Sequence, residues 1–354
     1  MSQANDKDSP IGAFRGAKRK IVRLSQEELV SASYLNNGQR LPLVLRPNAD
    51  NLNLAEWARD NRAYIEKELM THGAVLFRGF NLKSVLEFER FIKAVSGEAL
   101  EYNERSSPRS QVSGQIYTST DYPADKCIFL HNEQSYNLAF PMKISFYCAK
   151  APEKEGATPI ADTRRVFGRI ADEIKARFME RKYMYVRNFG DGFGLSWQEA
   201  FQTKRRSEVQ DYCHKNQIEY EWKSENRLRT KQVREVAIKH PKTGEWVWFN
   251  HLTFFHVSTL ALEIQKEMMS AIAEEDLPNN TYYGDGSRIE KEVMESLREA
   301  YQNEKVRFDW EEGDILMLDN MLVAHGREAY TGERRVVVGM AELWSWNTEV
   351  ASTE

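Results

Sequence analysis

Cys127-Ile128-Phe129-Leu130-His131-Asn132-Glu133 is the stretch on which the reading of this chain turns. Its opening residues are apolar, as in a strand covered on both faces, and a polar triplet follows with no turn residue between. Alternate residues of a strand share a face. The His131 imidazole and the Glu133 carboxylate therefore project side by side from one backbone and can hold one divalent metal. Asn132 points the opposite way, to hold the strand or to meet a substrate. Two ligands leave the metal undecided and call for a third.

The far end of the chain offers one. Glu312-Gly313-Asp314 reads as a turn into Ile315-Leu316-Met317-Leu318, followed by Asp319-Asn320 and then Val323-Ala324-His325-Gly326. His325 closes an apolar strand and precedes a glycine, where another backbone can approach closely. Two neutral imidazoles and one carboxylate on one side of an ion leave the opposite positions open, the facial arrangement of non-haem Fe(II) oxygenases. Zinc competes for such ligands, but a zinc hydrolase needs a general base, and no His-Glu-x-x-His is present. Ten residues after His325, Arg335 opens the run Val336-Val337-Val338. Its parity sets it on the face of Val337 and Gly339. A guanidinium fixed inside a β cavity suits the distal carboxylate of a dicarboxylic cosubstrate, and Thr158 can donate a hydroxyl to the same group.

Between these ends helix and strand signals alternate. Asn53 is placed as N-cap of a helix with Leu54, Trp57, Ala58, Tyr64, Ile65 and Leu69 on its apolar side, closed by Gly73. Ala74-Val75-Leu76-Phe77 reads as a buried strand, and a second amphipathic helix carries Leu82, Leu86, Phe91, Ile92 and Val95 up to Gly97. Ile144, Phe146 and Cys148 alternate with Ser145 and Tyr147, a further strand, and Asp162 can cap a helix through Val166, Ile170, Ile174 and Phe178. From about 165 to 300 the pattern reads as a long helical insertion. There, Ser196-x-x-Glu199 is a capping box that predicts a charged helix of roughly 20 residues. Pro241-Lys242-Thr243-Gly244 marks a hairpin, and a second box, Ser287-x-x-Glu290, predicts the start of the last helix. Residues 1–40 carry a basic cluster and little to bury, and read as a flexible N-terminal arm; residues 41–350 read as a single domain. Strands at both ends with helices between give an α+β class.

Residues 101–126 form a long polar loop just ahead of His131, the kind of segment that lines a site. Arg105 and Arg109 there can each take a carboxylate through two parallel bonds. Arg109, Tyr117 and Ser119 are read as substrate wall, joined by Asn132 and by Trp248, Asn250 and His251 of a later segment. His72, His214, His240 and His256 are read as structural. A hydrophobic content of 41% against 29% charged residues is ordinary for a globular chain. The net charge of -4 argues against a nucleic-acid partner, which draws on a positive field. Cys127, Cys148 and Cys213 form no CxxC pair, so neither a disulfide framework nor a zinc ribbon is indicated. No apolar run has the length of a membrane span and no signal-peptide core is seen. A cytoplasmic location without a membrane partner is expected.

Taken together, His131-x-Glu133, Thr158, Gly313-Asp314 ahead of Leu318-Asp319-Asn320, His325, and Arg335 within Gly332-Glu333-Arg334-Arg335 resemble the TauD/TfdA family of Fe(II)- and 2-oxoglutarate-dependent dioxygenases. Ser119-Thr120-Asp121-Tyr122-Pro123, the His131-Asn132-Glu133 form and Tyr282-Tyr283-Gly284-Asp285-Gly286 are similar to its clavaminate-synthase-like branch, which includes the syringomycin-pathway aspartyl hydroxylase. The resemblance covers about residues 70–345. It implies a double-stranded β-helix (jelly roll) core with flanking helices, and the 41–350 segment as one dioxygenase domain. It implies Fe(2+) on His131, Glu133 and His325, 2-oxoglutarate on Thr158 and Arg335, and O2 as the other cosubstrate. The implied reaction hydroxylates an unactivated C–H bond and releases succinate and CO2. The implied substrate is an amino acid, free or tethered to a peptidyl carrier protein, in specialised metabolite biosynthesis. A desaturase or cyclase is the rival within the family, and a non-catalytic metal-binding β-barrel sensor the rival outside it. Glu133 argues against a halogenase, where a small residue replaces the carboxylate. The chain departs from the family twice. Its acidic ligand is Glu rather than the Asp of the taurine branch, and the second arginine many members carry four residues after the first is here Gly339, so the cosubstrate contact rests either on Arg335 alone or on Arg335 with Arg334 as a helper.

Overall fold

Caps decide where the first helices begin and end. In the computed structural model, which describes residues 29–36, 38–100, 110–119, 122–190 and 194–346, Asn53 Oδ1 accepts the Glu56 N–H at 3.2 Å and opens Leu54–Asp60. Asn61 interrupts the run, and Arg62–His72 follows, closed by Gly73 at φ 77°. A Cβ at Gly73 would also lie 2.6 Å from Val323 Cγ2, so backbone and packing both require glycine. Val85–Ser96, capped by Ser84, buries Phe88, Phe91, Ile92 and Val95 along one stripe. Each of those side chains contributes about 1.5–3 kcal/mol on leaving water.

That stripe packs on the outer face of an eight-stranded sheet. Its order is Val30–Tyr34, Leu43–Pro47, Ala74–Phe77, Ile315–Asp319, Ala139–Lys150, Arg335–Ser345, Ile116–Thr118 and Gln111–Ser113. Tyr147, Met317 and Val337 meet the helices, while Ile144, Phe146, Leu318, Val336 and Val338 turn inward. A three-stranded sheet of Ile128–His131, Val323–Arg327 and Ile160–Asp162 faces that inner side, and its Ile160 and Val323 join the same core. The two sheets make the jelly roll of an α+β protein. Among the described residues no helix is long and apolar enough to cross a membrane.

Residues 165–300 hold more than helices. A four-stranded antiparallel sheet, Glu219–Trp222, Leu228–Arg234, Tyr183–Phe189 and Asn279–Tyr283, stands among them. The Ser196 capping box forms with both of its bonds, but the helix stops at Phe201; Gln202 turns left-handed at φ 53°, and a separate helix runs Arg206–Lys215. Ser287 caps nothing, because its N–H and hydroxyl both donate to Asp285 Oδ1, at 2.9 and 2.7 Å. The last helix, Lys291–Glu304, starts instead from Glu290. Within the segment expected as an N-terminal arm, Val30–Tyr34 pairs antiparallel with Leu43–Pro47, and residues 1–28 lie outside the described residues.

Candidate active site

His131 and His325 are direct cross-strand partners between Ile128–His131 and Val323–Arg327. Facing residues of neighbouring strands project to one side, so the two rings meet with centroids 4.6 Å apart. The register slips just beyond, at Gly326, where a Cβ would sit 2.6 Å from the Ile128 carbonyl oxygen. Glu133 lies past the strand end, its Oε2 4.0 Å from His325 Nε2. One ligand atom from each of the three lies within 4.8 Å of the others, and all three residues are buried. Ligands bonded to one ion at about 2.0–2.2 Å are themselves about 3–4.4 Å apart, so a small closure around the ion suffices. His131 is already prepared for it. Its Nδ1–H donates to the Phe129 carbonyl at 2.8 Å, which leaves Nε2 as the ligand atom. Phe254 stacks on the His131 ring at 4.7 Å, and Phe146 leans on His325 at 5.0 Å.

Asn320 holds the turn that aims Glu133. Its Oδ1 accepts the Glu133 N–H at 2.8 Å, and its Nδ2 donates to the carbonyls of Glu133 and Pro141 at 2.9 and 2.8 Å. Asn132 answers from the other side, its Nδ2 donating to the Asn320 carbonyl at 2.6 Å. Asn132, read as substrate wall, is wholly buried and is not among the residues that line the cavity. In an Asn320→Ala variant those backbone groups of Glu133 and Pro141 lose their partners, which is expected to lower stability by about 2–4 kcal/mol in denaturant titration. Affinity for Mn(II), read by calorimetry, should fall roughly 10- to 100-fold with it. Wild-type affinity in a destabilised variant would show that Asn320 serves the fold alone.

Of the adjacent pair Arg334 and Arg335, Arg334 lines the cavity and Arg335 is exposed on the outside. Arg335 does share parity with Val337 and Gly339, as the sequence predicts, but that face is turned to the helices: a Cβ on Gly339 would meet Ile92 Cδ1. Arg334 belongs with Val336 and Val338 on the inner face. Its Nε donates to the Gly156 carbonyl at 2.9 Å, and its Nη1 and Nη2 to the hydroxyls of Ser119 and Thr158 at 3.4 and 3.2 Å. Trp310 Nε1 donates to the same Thr158 oxygen at 3.1 Å. A threonine hydroxyl accepts twice and donates once. With both acceptor positions taken, the Thr158 proton is left to donate to an incoming anion. Burial, and then the charge of Arg327, push the Arg334 pKa down to about 10. A carboxylate beside it relieves both effects, which is the behaviour of an anion site.

His131, His325, Ser119, Thr158 and Arg334 line one cavity of about 500 Å³. The other residues read as substrate wall stand elsewhere. Tyr117 is buried in the inner core beside Val338, and Trp248 packs edge-on against Phe178. Asn250 braces a turn, bonded to the Val236 carbonyl and the Leu252 N–H. His251 is buried behind His131, with Nδ1 2.7 Å from Ser135 Oγ. Arg105 and Arg109 lie outside the described residues. The far wall comes instead from Arg187, Phe189, Leu195, Phe255 and Met268, none of them singled out by the sequence. Only the two-residue spacing of aromatics around Arg187, in Tyr185-x-Arg187-x-Phe189, hinted at a common face.

A family model described as taurine catabolism dioxygenase TauD, TfdA family matches residues 39–341. The dapdiamide synthesis protein DdaC of Enterobacter agglomerans is 41% identical over 278 residues, spanning 78% of this chain and 84% of that protein. A clavaminate synthase-like protein of Arabidopsis thaliana is 27% identical over 294 residues, 80% of this chain and 86% of its own length. Among solved structures, PvcB, an Fe, alpha-ketoglutarate dependent oxygenase from an isonitrile synthetic pathway, aligns with a TM-score of 0.52 over 90% of this chain and 93% of its own. At 17% identity that likeness speaks to the fold.

Proposed function

The chain belongs to the TauD/TfdA family and is an Fe(II)- and 2-oxoglutarate-dependent dioxygenase, and from this premise we propose which residues do the work and on what. His131, Glu133 and His325 hold the iron; Arg334, rather than Arg335, holds the distal carboxylate of 2-oxoglutarate together with Thr158. The substrate is an amino acid, free or carried on a peptidyl carrier protein, hydroxylated at an unactivated C–H bond in specialised metabolism. The observation that supports this most is the shared cavity: the two histidines of a buried cluster with Glu133 line the same space as the Arg334–Thr158 pair. A relative named for dapdiamide synthesis supports the metabolic setting. Membership in an oxygenase family sets aside the non-catalytic sensor.

When bound, the iron with 2-oxoglutarate and O2 supplies the oxidation, placing one oxygen atom in succinate and the other on the substrate as CO2 leaves. The protein's part is placement. Glu133 offsets one unit of the metal's charge, and the Phe129 carbonyl keeps His131 in the ligating tautomer. Arg334 and Thr158 fix one end of the cosubstrate and so set its reach across the cavity. Phe146 and Phe254, packed on the two imidazoles, keep water away from the reacting side.

The test is succinate release with Fe(II), 2-oxoglutarate and O2 across free and carrier-bound amino acids, with the product weighed by mass spectrometry. The expected result is substrate-stimulated succinate and a product heavier by one oxygen atom. A product lighter by two hydrogens would replace hydroxylation by desaturation. Stimulation confined to compounds that are not amino acids would overturn the substrate class.

A further inference from the structure

The jelly roll builds only one side of the cavity; the other side belongs to the inserted sheet and the segment after it. That second wall is rich in rings and aliphatic groups, and among the described residues its cation is Arg187. Arg187 stands in the middle of Tyr183–Phe189, between Leu228–Arg234 and Asn279–Tyr283. It is 4% exposed and yet lines the cavity. Its guanidinium carbon lies 4.6 Å from the Phe189 ring centre and 5.9 Å from that of Tyr185. Both rings are two residues away on the strand and share its face, so they fix where the guanidinium points. A preset planar fork of this kind matches a carboxylate through two parallel bonds.

The charge balance of the cavity points the same way. Among the described residues its lining holds three guanidinium groups, Arg187, Arg327 and Arg334, and the nearest carboxylate is that of Glu133 behind the two histidines. Arg334 sits with Thr158 and Ser119 at the jelly-roll end. Arg327 donates to the backbone carbonyls of Tyr122, Pro123 and Lys126, and so secures the loop at the mouth. Arg187 is the one set on the wall opposite Arg334's sheet. A cleft with this lining concentrates anions, and one dianionic cosubstrate at Arg334 leaves the far wall for a second anion.

We propose that Arg187 binds a carboxylate of the substrate. The enzyme then selects a small organic acid whose carboxylate sits on the inserted sheet while its apolar part crosses the ring-lined middle towards His131 and His325. This inference rests on the function proposed above, which assigns Arg334 to 2-oxoglutarate. It also restricts that function. An amino acid tethered to a carrier through its α-carboxyl must bring a second carboxylate, on its side chain or on an N-acyl group.

Calorimetric titration of the protein loaded with Mn(II) and 2-oxoglutarate tests this. The probes are the free L-amino acids and their N-acetyl and N-succinyl derivatives, each paired with the compound in which every carboxyl is a primary amide. The expected result is at least one acid bound about fivefold or more tightly than its amide, with that preference falling to about one in Arg187→Gln. Affinity for 2-oxoglutarate should stay as in the wild type. Arg187→Met, which keeps the stem packed between the rings, serves as the second variant if the glutamine protein does not fold. The inference is overturned if no pair in the wild type reaches that preference, or if the preference survives in either folded variant. Failure of the underlying reading appears separately, as no heat of binding when 2-oxoglutarate is titrated into the Mn(II)-loaded protein beforehand.

Discussion

Succinate release falls by about three orders of magnitude or more in His325→Ala, on the order of 4 kcal/mol of lost transition-state stabilisation, even with Fe(II) and 2-oxoglutarate in excess. The size follows from the way the cluster is built. His325 faces His131 across one strand pair, so its removal leaves one imidazole and one carboxylate, both from the His131–Glu133 segment. A facial set needs three ligands to leave the opposite positions open and ordered. Two ligands neither hold the ion well nor orient it. Bound iron per chain after dialysis should fall in step with succinate. Thermal unfolding separates this from collapse of the barrel, because His325 packs beside Phe146 and its loss also leaves a cavity. A variant that retains both wild-type iron content and turnover would remove His325 from the ligand set.

Arg334→Gln is expected to raise the KM for 2-oxoglutarate roughly 100-fold, about 3 kcal/mol, while Arg335→Gln stays within about threefold of wild type. The first change withdraws a charge-assisted pair from a carboxylate in a water-poor cavity. The second alters an exposed side chain, where an ion pair contributes little. The pair of variants is decisive because the two residues are adjacent and chemically identical. A KM effect at Arg335 with none at Arg334 would reverse the assignment. The pH dependence carries the same sign. The protonated guanidinium binds the dianion, and burial has brought its pKa down to about 10. The kcat/KM for 2-oxoglutarate should therefore decline as pH rises through about 10, and the decline should be absent in Arg334→Gln.

The Arg334 and Arg335 pair also shows how far the sequence could be read. Strand parity grouped Arg335 correctly with Val337 and Gly339, because a period of two is a local property. Which group faces inward is not local. It is decided by the helix that packs on the sheet, here through Ile92 against Gly339. The His131–Glu133 and His325 segments were legible because their spacing and apolar lead-ins carry the chemistry themselves. The Trp248–His251 wall was not. Buried polar residues in an apolar segment look alike whether they line a cavity or brace a core, and Asn250 braces a turn. The Ser287 box failed for a similar reason. Asp285, two residues earlier, offered a nearer acceptor than the helix offered donors. The inserted sheet escaped notice because Tyr183–Phe189 and Leu228–Arg234 interleave arginine, asparagine and lysine with their apolar residues. They earn their place by pairing with one another.

The longest strand of the barrel, Ala139–Lys150, takes both of its neighbours, Ile315–Asp319 and Arg335–Ser345, from the last forty residues of the chain. Pairings so distant in sequence slow folding, since a long loop must close before any bond rewards it. On the ribosome this strand waits with both edges bare until residues 315–345 have been made, the condition in which strands recruit strands from other chains. The domain therefore cannot mature segment by segment as it emerges. His325 arrives in the same late stretch, so the cluster of His131, Glu133 and His325 comes together only when that stretch has paired.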